Sequence, residues 1–193
     1  MGFRRYWAWL IGVIVASFAV LGYYGWEIYQ VAPPLPERVV TTDGRQLFTR
    51  QDITNGQNVW QSMGGQEVGS VWGHGGYTAP DWTADWLHRE AVWLLDRYAT
   101  QDFGQPYARL NPEQQAAMRA RLQAELRTNT YDPATGTLTV SPLRAQAIAA
   151  VSDHYTRLFG NDPSMTALRD AYAIPADTIK DPERQRMMNA FFF

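Results

Sequence analysis

The segment GQNVWQSMGGQEVGSVWGHGGYTAPDWTAD, from Gly56 to Asp85, decides how the soluble part of this chain is built. It contains seven glycines, and tryptophans lie among them. Glycine is favoured where the backbone takes a positive φ or where another group approaches it closely. The segment therefore predicts an irregular loop pressed against another part of the protein, followed by a helix that starts near Pro80. On these residues alone, an ordinary packed loop is the leading interpretation.

Helix caps and apolar spacing around this segment predict a mainly α-helical domain. Residues 39–49 and 131–140 predict small β hairpins, because an Asp-Gly and a Thr-Gly pair mark their turns. Each predicted helix begins at an Asp, Asn or Ser that caps it, and the helices cover residues 52–63, 81–100, 111–127, 141–160 and 164–174. On the second helix, the apolar side is expected to carry Trp82, Trp86, Val92, Trp93 and Leu94.

The chain begins with a candidate membrane segment. Residues Tyr6 to Trp26 carry no charge, and about 21 residues at roughly 1.5 Å each span roughly 31 Å, enough for a bilayer core. Arg4 and Arg5 precede this segment, which predicts a cytoplasmic N-terminus. A cleaved signal peptide is the alternative, but the segment does not end in a small-residue cleavage site. We therefore predict an uncleaved anchor over residues 1–30 in the bacterial inner membrane and a periplasmic domain over residues 31–180.

The last residues predict one more helix. Asp181 and Pro182 are typical of a helix start, and the sequence then becomes apolar and reaches three phenylalanines at 191–193. We predict that residues 181–193 open a second membrane helix, so that the sequence is a fragment of a longer protein. A hydrophobic tail that packs on the domain is the alternative.

Composition excludes several classes of function. A net charge of −2 provides no basic face for nucleic acid, and no nucleic-acid partner is predicted. The absence of cysteine excludes disulfides, thiol nucleophiles and cysteine-ligated metals. The three histidines, at positions 74, 88 and 154, are too scattered to predict a metal site. His74 and His154 are expected to make ordinary local contacts.

The carboxylates of the second predicted helix are interpreted as a solvated, ion-paired face, because arginines alternate with them. They are Asp81, Asp85, Glu90 and Asp96. The sequence contains no motif that pairs a nucleophile with a base, so we predict no catalytic centre in this chain.

Residues 73–80, GHGGYTAP, resemble a run close to the haem-attachment motif in the cytochrome-c-type subunit of nitric oxide reductase. In that family the motif is C-x-x-C-H, and the run that follows is similar to G-E-G-A-Y-x-A-P. Counting back places the attachment position at Gly65–Gly69, where both cysteines and the histidine are missing. A c-type haem needs those groups, so no covalent haem is expected. The chain thus resembles the haem-free cytochrome-c-like domain of quinol-dependent nitric oxide reductase, a single-chain enzyme of the haem–copper oxidase superfamily.

The resemblance implies an enzyme that reduces NO to N2O in denitrification, with electrons from a membrane quinol. Haem b, haem b3 and a non-haem iron are then expected beyond Phe193, in a lipid-embedded catalytic core that is the partner of this domain. A calcium ion at the interface with that core is also implied, with Gly75 and Tyr77 as oxygen ligands. His74 stands where the family run has Glu. The alternative is a membrane-anchored periplasmic binding or sensor domain.

Overall fold

The computed structural model describes residues 3–31, 33–65 and 67–193. Gln66, which belongs to the expected haem-attachment position, lies outside the described residues. By its internal contacts the chain divides into two units, Met1–Leu35 and Pro36–Phe193. The first carries the predicted membrane segment, and the second carries the predicted soluble domain.

The first unit contains one long helix, α1, from Phe3 to Val31. Its most apolar stretch has a mean hydropathy of 1.8, and none of that stretch is buried inside the protein. At roughly 1.5 Å per residue, the helix is about 44 Å long, which exceeds the thickness of a bilayer core. α1 is therefore long and apolar enough to cross a membrane. The predicted direction of insertion stays a prediction.

The second unit is mainly α-helical, which confirms the predicted fold class. Two short 3-10 turns, Tyr107–Arg109 and Pro163–Met165, precede the fourth and sixth helices. The helices are α2 (Arg50–Ser62), α3 (Trp82–Phe103), α4 (Pro112–Arg127), α5 (Pro142–Phe159), α6 (Thr166–Tyr172) and α7 (Pro182–Phe192).

Side-chain caps explain where most of these helices begin, since they satisfy backbone N–H groups that have no partner within the helix. The predicted caps of α3, α4, α5 and α7 are confirmed. For α2 the prediction was wrong by one turn. Thr49 is the cap, and Asp52 accepts a hydrogen bond from the Thr49 backbone N–H at 2.9 Å, which completes a capping box. Similarly, Asp162 and not Ser164 caps the 3-10 turn before α6.

A small mixed sheet joins the two predicted hairpins. Its strands are β1 (Arg38–Thr41), β2 (Gln46–Thr49), β3 (Tyr131–Asp132) and β4 (Thr137–Val140), in the order β2-β1-β4-β3. Each hairpin is antiparallel, as predicted, whereas β1 and β4 pair in parallel. Hairpin signals are local in sequence, so they did not reveal this pairing of distant strands.

An aromatic core lies beneath α3. Trp82 and Trp86 are 0% and 1% exposed, which confirms that both are buried. The ring of Trp82 stacks on Phe192 with centroids 5.8 Å apart, and Trp86 stacks on Tyr155 at 5.5 Å. The edge of Phe159 meets Trp82 at 5.5 Å. Offset stacks and edge contacts of this kind add to the stabilisation that burial provides.

Helix α7 packs inside the second unit, chiefly against α2 and α5. Met188 and Phe192 are fully buried, and Arg186 donates a hydrogen bond to Asp52 of α2 at 2.7 Å. Gly56 of α2 lies where the two helices cross, and a Cβ there would collide with the backbone of Met187. Helix α7 thus packs within the domain core as far as Phe192 in its last turn. That residues 181–193 open a membrane helix, and that the domain ends at residue 180, stay predictions.

Candidate functional site

One carboxylate holds the glycine-rich loop before α3 in a fixed shape. The Oδ2 atom of Asp81 accepts hydrogen bonds from the Ser70 hydroxyl at 2.7 Å and from the Gly73 N–H at 2.6 Å. Its Oδ1 atom accepts from the Ala84 N–H at 3.0 Å, which caps α3. Burial opposes the ionised form, but these hydrogen bonds hold the pKa of Asp81 below its usual value. We call residues 69–81 the clamped loop.

The backbone of the clamped loop also folds back on itself. Ser70 accepts a hydrogen bond from the Trp82 N–H through its carbonyl at 2.8 Å. Its hydroxyl oxygen accepts from the Gly75 N–H at 2.9 Å, while the Gly76 N–H donates to the Ala79 carbonyl at 2.8 Å. The start of α3 and the loop therefore form one hydrogen-bonded piece.

Two glycines in the loop are required by its shape. Gly69 has φ +154°, and a Cβ there would lie 2.6 Å from the Pro80 carbonyl oxygen. Gly75 has φ +77°, and a Cβ there would lie 3.2 Å from the Asp81 nitrogen. A side chain at either position would meet backbone, which has little room to move. This confirms the predicted irregular loop pressed against another part of the protein.

Several side chains of the clamped loop face solvent. The side chain of Tyr77 is fully exposed, and that of Trp72 is 72% exposed. His74 is exposed too. Exposed Trp and Tyr side chains on a hydrogen-bonded loop are suited to contact with a partner, because Trp and Tyr supply much of the binding energy at protein interfaces.

Gly75 and Tyr77, the predicted calcium ligands, lie two residues apart in this loop, and the Tyr77 side chain is fully exposed. The Gly75 carbonyl and the Tyr77 hydroxyl are oxygen donors, the type that calcium prefers, but both are neutral. The nearest carboxylate in sequence, Asp81, already accepts three hydrogen bonds from the loop and α3. Among the described residues, no group of three His, Cys, Asp or Glu side chains is placed to hold a metal ion. Two neutral donors do not complete a shell of 6–8 oxygens, so Gly75 and Tyr77 stay predicted ligands.

The structure corrects the interpretation of the carboxylates on α3. Glu90 is 1% exposed and accepts a hydrogen bond from Arg144 Nε of α5 at 2.6 Å. Burial raises the pKa of Glu90 above its usual value, and the ion pair with Arg144 opposes that rise. The solvated-face prediction was therefore wrong for this residue, whereas Asp96 is exposed as expected.

Asp85 also belongs to the interior side of α3. It accepts hydrogen bonds from Arg89 Nε and from the Tyr155 hydroxyl, both at 2.7 Å. Val92 was predicted to lie on the inward side of the helix, but it is 45% exposed, so this prediction was wrong. The sequence did contain the signal, because the inward positions repeat every four residues, at 82, 86, 90, 94 and 98.

A groove of about 320 Å³ runs between α3 and α5 and is lined in part by His88, Trp93 and His154. The Nε2 atom of His154 is buried and makes no hydrogen bond to the described residues. Burial and the neighbouring Arg89 lower the pKa of His154 to about 4, so the imidazole is neutral near pH 7. The expected ordinary contact of His154 is thus the packing of a half-buried ring edge-on against Tyr155, with centroids 5.3 Å apart.

A comparison with protein families matches residues 36–193 to the NorB cytochrome c-like domain family of nitric oxide reductase. The match covers the entire second unit of the structure, so the chain belongs to this family. A comparison with curated proteins finds no match.

Proposed function

We propose that this chain, as a member of the NorB cytochrome c-like domain family, is the N-terminal part of a quinol-driven nitric oxide reductase of the membrane. The reaction consumes two NO molecules, two electrons and two protons and yields N2O and water. The second unit serves as a docking domain over the catalytic haem–iron core of that enzyme. The family match favours this function over a membrane-anchored binding or sensor domain.

The observation that carries the docking role is the clamped loop. Two hydrogen bonds from Ser70 and Gly73 to Asp81 hold the loop against the start of α3, and Trp72 and Tyr77 of the loop are exposed. A surface that is already ordered loses little conformational entropy when a partner binds. The loop therefore has the properties of a rigid contact element, and its contribution to the enzyme is to position the domain.

We further propose that a calcium ion is shared across this interface. Gly75 would offer its main-chain carbonyl and Tyr77 its hydroxyl, as two of the 6–8 oxygen ligands that calcium takes. The remaining donors, including a carboxylate, would belong to the catalytic core, which is also where haem b, haem b3 and the non-haem iron are expected. Bound calcium would supply positive charge that joins two oxygen-rich surfaces.

The proposed topology follows from the ends of α1. Arg4 and Arg5 precede the uncharged stretch, and Tyr23 and Trp26 lie near its other end. Positive residues favour the cytoplasmic side, and aromatic residues favour the membrane–water interface. The domain is then periplasmic. Helix α1 stays uncleaved and anchors the domain in the inner membrane, where it contacts lipid.

The test of the docking role is Gly75→Val in the full-length reductase. A β-branched residue opposes the φ of +77° and crowds the Asp81 backbone, so quinol-driven NO reduction and calcium content should both fall. Gly104→Val is the matched control, because Gly104 has a similar φ of +68° but open space around it. If the Gly75→Val enzyme reduces NO as fast as the control and binds as much calcium, the loop makes only ordinary packing contacts.

Tyr77→Phe tests the calcium ligand separately. The variant keeps the aromatic ring and removes the hydroxyl oxygen, so calcium affinity should fall while the fold of the domain is retained. Calcium is titrated into the full-length enzyme after chelation, and unfolding of the variant is compared with wild type. An unchanged calcium affinity would remove Tyr77 from the proposed ligand set.

A further inference from the structure

Trp72 combines two unusual properties. Its backbone lies in the left-handed region, with φ +54°, which L-residues with a bulky side chain rarely adopt. Its side chain is also 72% exposed, so burial of the ring does not compensate for the unfavourable backbone. A disfavoured conformation that persists without this compensation often marks a functional position.

The surrounding loop holds Trp72 in place from both sides. The Trp72 N–H donates to the Thr83 hydroxyl on α3 at 3.3 Å. The next residue, Gly73, donates its N–H to the Asp81 carboxylate at 2.6 Å. The fold thus imposes the backbone of Trp72 and directs its indole outward, where its N–H group and a large apolar surface are available.

We propose that Trp72 is the anchor residue by which the clamped loop binds the catalytic core of the reductase. This inference rests on the proposed docking function. The chemistry predicts a partner surface with an apolar pocket for the indole ring and a hydrogen-bond acceptor for its N–H. Buried Trp and Tyr side chains are the residues most enriched among interface hot spots.

A protein surface fits this loop better than a bilayer. Between Gly64 and Pro80 the sequence has one charged residue, Glu67, and no lysine or arginine. Anionic membrane surfaces attract basic segments, and this loop offers no such attraction. A fluid interface also does not require a fixed backbone, whereas the clamp at Asp81 fixes one.

Hydroxyl-radical footprinting with peptide mass spectrometry tests the inference without changing the residue. The oxidation rate of Trp72 is measured in three samples: this chain in detergent, this chain in lipid nanodiscs, and the full-length reductase. We expect the oxidation rate of Trp72 to be about tenfold lower in the full-length reductase than in the other two samples, as for an anchor removed from water at the centre of an interface. Phe103 is the internal control, because it is 40% exposed at the far end of α3 and should react equally in all three samples.

Tyr77 separates failure of the inference from failure of the docking function. Protection of Tyr77 with a freely oxidised Trp72 would overturn the anchor role and leave docking intact. Free oxidation of both residues in the reductase would overturn both proposals. Slower oxidation of Trp72 in the nanodisc sample but not in the reductase would show that Trp72 contacts lipid, and it would also overturn the inference.

Trp72→Gly gives an independent test, because glycine adopts the left-handed backbone without a steric penalty. In this chain the variant should raise the urea midpoint of unfolding, since it removes a disfavoured conformation from the native state. In the full-length reductase this variant should raise the oxidation rate of Tyr77 several-fold. Unchanged protection of Tyr77 in that variant would show that Trp72 does not anchor the loop.

Discussion

Trp72 and Trp82 are ten residues apart, yet they show two ways of building structure from the same side chain. Trp82 is 0% exposed and lies in a stack of aromatic rings beneath α3. Trp72 is 72% exposed on a loop that backbone hydrogen bonds and one carboxylate hold in place. The core depends on buried side-chain volume, whereas the loop depends on polar contacts. Substitutions should therefore have very different effects in the two regions.

The largest effect is expected for Trp82→Ala. Removing a fully buried Trp leaves a cavity among Phe192, Phe159 and Tyr155, and such truncations cost about 3–5 kcal/mol. Urea unfolding of the chain in detergent, followed by fluorescence, measures the change. Trp72→Ala is the matched control, and its free energy of unfolding should change by less than about 1 kcal/mol. Equal losses in the two variants would remove the distinction between core and loop.

The buried ion pair should give the next largest effect. Arg144→Met removes the partner of the Glu90 carboxylate, which is only 1% exposed. Breaking such a buried ion pair lowers the free energy of unfolding by about 3 kcal/mol or more. Combining Arg144→Met with Glu90→Leu should recover most of the stability, because no buried charge remains. If the double variant is as unstable as Arg144→Met alone, lost packing explains the effect, and the unpaired buried charge of Glu90 does not.

Asp81→Ala should affect the loop far more than the core. It removes the cap of α3, worth about 1 kcal/mol, and frees Ser70 and Gly73. We expect a modest loss of stability and much faster amide hydrogen exchange over residues 69–79. Asn111→Ala on α4 is the control, since it removes an equivalent cap far from the loop. Slow exchange retained in the Asp81 variant would show that other contacts hold the loop.

His154 should give the smallest effect, and a pH-dependent one. Burial and Arg89 lower its folded pKa to about 4, against 6.5 unfolded, although Asp85 and Asp153 oppose the shift. The unfolded state therefore takes up the proton first, and stability is lost as pH falls from about 6.5 to about 4. Because the ring is half-buried, solvent screening limits this loss to about 1 kcal/mol.

A stability profile of His154→Gln between pH 7 and pH 4 measures this contribution. The variant should show a smaller loss than wild type across that range. His88→Gln, on the same groove but exposed, should keep the wild-type profile. Identical slopes in all three proteins would mean that His154 titrates in the fold as it does in the unfolded chain.

The sequence predicted those features that depend on neighbours along the chain. Asp81, Asn111 and Ser141 begin their helices as expected, and both hairpins form where their turn residues lie. The presence of a glycine-rich loop before α3 was also predictable. These signals are local, because a cap or a turn acts within a few residues.

Features that join distant residues were not predictable in the same way. The pairing of Glu90 with Arg144 spans 54 positions, and no local rule indicates it. The clamp between Ser70 and Asp81 depends on how an irregular loop returns to its helix. The positive φ of Trp72 is opposed by its own residue type, so the sequence argued against it. The calcium ligands Gly75 and Tyr77 came from resemblance and stay a prediction.

The contact between α2 and α7 has a consequence for synthesis. Arg186 reaches Asp52 across 134 positions of the chain, and at roughly 5–20 residues per second, the ribosome needs on the order of 10 s to make that length. During this interval Ile53 and Trp60, which are buried in the finished domain, have no partner helix. α2 is therefore the segment that we expect a chaperone to bind while the nascent chain waits for α7.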